Sequence, residues 1–132
     1  MLLVPTRIGP SKIHGIGLFA AKPIKKGAVV WRFAPEIDIV LTPAMLKRLS
    51  PVAHEQIMAY AYHDDKTKEF VLCGDDARFM NHSKNANVID RPGNSHISIA
   101  ARDISPGEEI TCDYHLFDLL AKRHLHRNKK KR

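Results

Sequence analysis

The chain has 132 residues, 44% hydrophobic and 27% charged, which supplies one modest core and excludes a second. A mean hydropathy of -0.27 is that of an ordinary globular domain and excludes wholesale disorder, and no apolar run approaches the roughly 20 residues of a membrane span. The net charge of +7 sits entirely in Lys122, Arg123, Arg127, Lys129, Lys130, Lys131 and Arg132, so residues 1–121 sum to zero. The tail reads first as a solvated end and second as a contact for nucleic acid.

In chain order, MLLVPTRIGP lacks a basic flank and is short for a secretory signal, so an intracellular setting is expected, cytoplasmic or associated with the nucleus or nucleoid. His14-Gly15-Ile16-Gly17 follows. Paired glycines let backbone N–H and C=O groups approach a ligand closely. By themselves they equally suit a tight turn, and the third glycine and helix of a dinucleotide fingerprint are missing. Short strands are expected over Val29–Phe33, Glu36–Leu41, Glu69–Cys73, His96–Ala101 and Glu109–Cys112, each bounded by Gly, Pro, Asp or Asn. Thr42-Pro43 and Ser50-Pro51 each set a capping residue before a first-turn proline, and the second of these helices should run from about Pro51 to Tyr60. A third, amphipathic helix is expected near Leu116 to Leu125. The pattern is mainly β with short helices, not a doubly wound α/β sheet.

Residues 20–30 and 100–110 echo one another at an offset of 80, and each copy reads as strand, turn with a late glycine, strand. Any such unit uses glycine to reach positive φ. The reading favoured is one unit built twice on the same sheet system.

Cys73 and Cys112 lie in apolar runs and read as buried free thiols. Neither belongs to a CxxC or Cys/His cluster, so no metal site is expected. His54, His63, His96, His115, His124 and His126 read as solvated or structural, and Asp64-Asp65 and Asp75-Asp76 as solvated turns.

Two more segments carry chemistry. Arg78-Phe79-Met80-Asn81-His82-Ser83 sets convergent donors and acceptors beside an apolar wall. In Gly107-Glu108-Glu109-Ile110-Thr111-Cys112-Asp113-Tyr114, strand alternation puts Ile110, Cys112 and Tyr114 on one face. For Asn87 a plain turn role and a functional one are evenly matched.

Taken in order, HGIGLFA, DDARFMNHS and GEEITCDY resemble the SET-domain protein lysine methyltransferases over roughly Ile8 to Phe117. Tyr60-Ala61-Tyr62 is similar to the aromatic pair that the family carries ahead of its Asn-His-Ser run. The resemblance implies several small curved sheets, with a C-terminal pseudoknot between the Asn-His-Ser segment and the strand ending in Tyr114. It implies a SET domain over residues 1–117, then a C-terminal helix and basic tail over 118–132. S-adenosylmethionine would be the cofactor and S-adenosylhomocysteine the product, and the methyl acceptor a lysine of a protein, histone or otherwise basic.

Residue roles follow from the same resemblance. Backbone of His14, Gly15 and Ile16 would meet the amino-acid end of the cofactor, with Arg78 beside its carboxylate. Asn81 and His82 would bind the cofactor through side chain and backbone, His82 near the adenine. Tyr114 matches the active-site tyrosine and Tyr60 the second tyrosine of the lysine channel, which Tyr62 and Cys112 also line. Phe117 is either an adenine-packing wall or a hydrophobic helix residue.

Departures matter too. Lys84 stands where the family often has a zinc-binding Cys, and no cysteine follows Cys112, so no zinc clip is expected. The channel would be closed by the Leu116–Leu125 helix or by a second subunit, which leaves a homodimer open. Cys112 replaces the Phe or Tyr that often limits methyl number, which would leave room for more methyl groups. The rival reading is a non-catalytic SET-like module that binds nucleic acid or chromatin-type partners. No membrane partner is expected.

Overall fold

The computed structural model describes residues 1–122 and 125; most of the basic tail and the far end of the expected C-terminal helix lie outside the described residues. The elements are β1 (Thr6–Pro10), β2 (Ile16–Ala20), β3 (Val29–Arg32), β4 (Ile39–Leu41), α1 (Pro43–Arg48), α2 (Pro51–Tyr60), β5 (Tyr62–His63), β6 (Phe70–Leu72), β7 (Asn81–His82), β8 (Val88–Arg91), β9 (Asn94–Ala100) and β10 (Glu109–Cys112). They form three small sheets in the orders β1-β2-β10-β7, β3-β9-β8 and β4-β6-β5. β7 and β10 pair in parallel, Thr111 opposite Asn81 and Cys112 opposite His82.

Both helices start where their caps direct. The Thr42 hydroxyl accepts from the Met45 N–H and the Ser50 hydroxyl from the Ala53 N–H, each at 3.2 Å, with proline in each first turn. The strand expected from Glu36 begins later, at Ile39. Buried Asp38 is the cause: its carboxylate accepts from the Ala34 N–H at 2.9 Å and the Gly74 N–H at 3.2 Å, winding residues 34–38 into a turn. Gly74 is required there because a Cβ would fall 1.8 Å from the Ile37 carbonyl oxygen.

The helix expected from Leu116 is a correction. Tyr114–Leu116 forms a 3-10 turn, Phe117, Leu119 and Leu120 are turn residues on either side of a β-bridge at Asp118, and helical backbone begins only at Ala121. Two aspartates divert the chain: Asp113 accepts from the His115 N–H, and Asp118 accepts from the N–H groups of both His63 and Leu120. The backbone of Asp118 also forms an isolated antiparallel β-bridge with that of Asp64, and Leu120 packs on the cluster of Leu41, Met58, Ala61 and Leu72. Leu120 thus serves packing against α2 and β6, whereas Leu116 and Leu119 are exposed.

The main core joins Leu18, Ala20, Ile24, Val30, Val88, Ala100, Ile104 and Ile110. It is built around the repeated unit, which the structure pairs with itself. Ile24 and Ile104 exchange both backbone hydrogen bonds, at 2.9 and 2.8 Å. Gly27 N–H donates to the Ala100 carbonyl and Gly107 N–H to the Ala20 carbonyl, and the bonds Ala100 to Ala28 and Ala20 to Glu108 correspond in the same way. Gly27 and Gly107 share φ values of 82° and 80°. One unit built twice is what the chain contains.

Asn87 staples this core to β10. Only 2% exposed, it accepts from the Thr111 N–H at 2.9 Å and donates to the Glu109 carbonyl at 2.8 Å. Asn87→Leu should cost about 2–3 kcal/mol, because the buried Thr111 N–H loses its partner. A denaturation midpoint equal to that of the wild type would refute this role.

Candidate active site

The parallel β7–β10 pair brings the two chemistry-bearing segments side by side. Asn81, 8% exposed, reaches from β7 to the glycine loop, where its Nδ2 donates to the carbonyls of His14 and Ile16, both at 3.1 Å. The same nitrogen lies 2.8 Å from Glu109 Oε1, and the Ser11 hydroxyl contacts both oxygens of that carboxylate. Gly17 makes this cluster possible, since a Cβ would stand 2.4 Å from Glu109 Oε1. Gly15, at φ 48°, turns the loop with open space where its Cβ would be. The glycine loop is thus pinned from beneath by β7 and β10.

Beyond β10 the chain turns back over β7. The Tyr114 hydroxyl donates to the Met80 carbonyl at 2.7 Å, and its backbone N–H donates to His82 Nδ1 at 3.1 Å. Burial pushes the Tyr114 phenol above its ordinary range, and neighbouring Cys112, Asp118 and Glu109 add to that. Tyr62 is raised in the same sense, by burial first and by Cys73 next. Both hydroxyls are therefore neutral donors near pH 7, not phenolates. Burial likewise raises the Cys112 thiol, and pushes Cys73 up to about 12, so both stay as thiols.

A cavity of about 740 Å³ opens between these parts, within the roughly 300–1,000 Å³ usual for small-molecule sites. Its wall includes His14, Gly15, Ile16, Arg78 and Asn81 at one part, and Tyr60, Tyr62, Cys112, Tyr114 and Phe117 elsewhere. Tyr62 meets Phe117 edge-on with ring centres 5.4 Å apart, and Tyr60 meets Phe79 at 5.6 Å. Phe117, with φ -145° and ψ -16°, is not a helix residue but part of an aromatic wall.

His82 is the one expected site residue that is not on the cavity wall. Its imidazole sits behind Tyr114, 3.4 Å from Asp113 Oδ1 and edge-on to His115, with ring centres 5.1 Å apart. Burial lowers its pKa, and Asp113 opposes that shift. An unprotonated Nδ1 is what the Tyr114 N–H requires. The potential metal-ligand atoms of His82, Asp113 and His115 lie within 4.8 Å of one another, a convergence that the chain order of the three does not reveal.

Other wall residues escaped sequence reasoning: Trp31, Lys66, Cys73, Asp90 and Ser98. The Trp31 indole N–H is buried with no hydrogen-bond partner among the described residues, a donor left to whatever fills the space. Glu109 was legible only as strand. Its place beside Asn81 depends on register between segments 28 residues apart.

Small sheets, a pinned glycine loop and a half-buried tyrosine thus surround one cavity. The SET domain family model matches residues 15–115, and the chain belongs to that family. It is 32% identical over 120 residues to histone-lysine N-methyltransferase ATX2 of Arabidopsis thaliana, covering 84% of this chain and 11% of that protein. To histone-lysine N-methyltransferase trithorax of Drosophila virilis it is 36% identical over 111 residues, covering 79% of this chain and 3% of that one. The chain therefore spans only a small part of the length of these relatives. Among solved structures, the Neurospora SET domain protein DIM-5, a histone lysine methyltransferase, shares the fold at TM-score 0.57 and 23% identity, over 86% of this chain and 53% of that one. ctPRC2 in an autoinhibited conformation bound to S-adenosylmethionine does so at TM-score 0.62 and 23% identity, over 96% and 17%.

Proposed function

We propose that the chain is an S-adenosylmethionine-dependent methyltransferase that acts on the ε-amine of a lysine in a basic protein. The observation that carries this reading is the half-buried Tyr114 hydroxyl, held on the Met80 carbonyl in the same cavity as the pinned glycine loop. The histone-lysine methyltransferase names of the relatives support the substrate class. The residues present suit the cofactor: Arg78 offers a cation to its carboxylate, and the backbone of His14 to Ile16 offers polar groups to its amino-acid end. Asn81 holds that loop in place, while His82 acts from behind through the Tyr114 backbone.

When bound, S-adenosylmethionine supplies a methyl group activated by a positively charged sulfur. Tyr60, Tyr62 and Phe117 narrow the path of an incoming side chain and exclude water, so that orientation carries much of the rate. Lysine, with a reference pKa of about 10.4, must lose a proton to present a lone pair, and a dry wall disfavours its charged form. Tyr114 is a neutral dipole with a fixed direction. It aligns and stabilises developing charge and does not serve as a base.

Calorimetry with S-adenosylhomocysteine, followed by a peptide array with labelled cofactor, tests the reading. Binding and lysine labelling of basic peptides are expected; folded protein that takes up neither cofactor nor product refutes it. Cys112 supplies a further prediction. Its thiol lines the cavity where a ring would narrow it, so Cys112→Phe should shift the product toward fewer methyl groups. Mass spectrometry of the product peptide checks this, and strict monomethylation by the wild type would count against it.

A further inference from the structure

Four aspartates line the cavity, and three are committed to the backbone. Asp64 accepts from the N–H groups of Lys66 and Thr67, Asp113 from His115, and Asp118 from His63 and Leu120. Asp90 differs. It stands half-buried on β8, directly across the strand pair from Ser98 of β9, whose neighbouring side chain favours its charged form. Among the described residues it enters no ion pair within 4 Å.

Its surroundings explain what it can do. Asp90 acts electrostatically on Tyr62 and Cys112, the two residues assigned above to the substrate channel. Trp31, Val88 and Ile89 contribute apolar surface to the same cavity. A carboxylate on such a wall is poorly solvated, and burial accordingly raises its pKa. Lys66, exposed in the β5–β6 loop and also on the cavity wall, opposes that shift, while Asp64 and Asp65 reinforce it. An unpaired, partly desolvated anion in a channel is a recognition element for a cation.

We infer that Asp90 is the cation-recognising residue of the substrate channel: its carboxylate receives the charged side chain of the arriving lysine and selects it over an uncharged chain of equal length, with Lys66 as the resident competitor. This rests on the lysine methyltransferase reading and deepens it. It separates recognition of the ammonium at Asp90 from alignment of the neutral amine at Tyr114; the proton passes to solvent water before the amine reaches the dry part of the channel.

The test is calorimetry with the full chain saturated with S-adenosylhomocysteine. The probes are one array-positive peptide and the same peptide with norleucine in place of the target lysine. Wild type should prefer the lysine peptide by about tenfold, the scale of a charge-assisted hydrogen bond. Asp90→Asn keeps the shape and a polar neighbour for Ser98. It should abolish that preference by weakening the lysine peptide alone, with S-adenosylhomocysteine bound as before. Lys66→Met should act oppositely and tighten the lysine peptide severalfold. A D90N protein that keeps the preference, or that weakens both peptides equally, overturns the inference while leaving the methyltransferase reading intact. An array without any labelled lysine overturns both.

Discussion

Replacing Tyr114 by phenylalanine should lower the methyl-transfer rate by about two to three orders of magnitude, the usual loss for one preorganised dipole at a reacting centre. The substitution removes a single oxygen and keeps the ring that packs between His82 and Phe117. What disappears is the bond to the Met80 carbonyl, and with it the fixed direction of the hydroxyl. Because Tyr114 is neutral near pH 7, the loss should be the same at pH 7 and pH 9; a deprotonated base would give a steep pH dependence instead. Cofactor affinity should change little, since the hydroxyl is anchored on the Met80 carbonyl while the glycine loop is anchored by Asn81. Steady-state rates with labelled cofactor check the size, and a variant within threefold of the wild type would remove Tyr114 from the reaction.

Asn81→Ala should act on both stability and cofactor binding. Two amide hydrogens are shared among three buried or half-buried acceptors, namely the His14 carbonyl, the Ile16 carbonyl and Glu109. Truncation strands these acceptors and leaves the Glu109 carboxylate with Ser11 as its remaining side-chain donor. The expected cost is about 2–4 kcal/mol, from one broken buried network. It should be accompanied by at least about a tenfold loss in affinity for S-adenosylhomocysteine, because the loop that would hold it is no longer anchored. Asn81→Asp separates the two effects: it keeps the volume but sets two carboxylates together, so it should be worse than alanine. Urea unfolding and calorimetry read the two effects. Wild-type values for both in N81A would show that the loop needs no support from β7.

Several features were open to reading in the chain because their chemistry is local. Thr42-Pro43 and Ser50-Pro51 announce two helices, since cap and first-turn proline act within three residues. Gly27 and Gly107 announce two matching turns through a backbone conformation that other residues avoid. The likeness of HGIGLFA, DDARFMNHS and GEEITCDY to one family carried the sheet architecture and part of the cavity wall with it.

Misreadings arose where a side chain redirects the backbone from a distance. Asp38 shortens β4 through Gly74, 36 residues on, and Asp118 replaces an expected helix start by tying itself to His63, 55 residues back. β5 and β7, of two residues each, have no periodicity to detect; they exist only because β6 and β10 lie beside them. Composition and local pattern therefore determine that this is a mainly β domain with two capped helices, a doubled turn unit and three reactive segments. Which carboxylate stays unpaired in the cavity, where His82 stands and what holds the glycine loop are decided by tertiary structure. Those outcomes depend on register between strands far apart in the chain, and in a strand a shift of one residue turns every side chain to the opposite face.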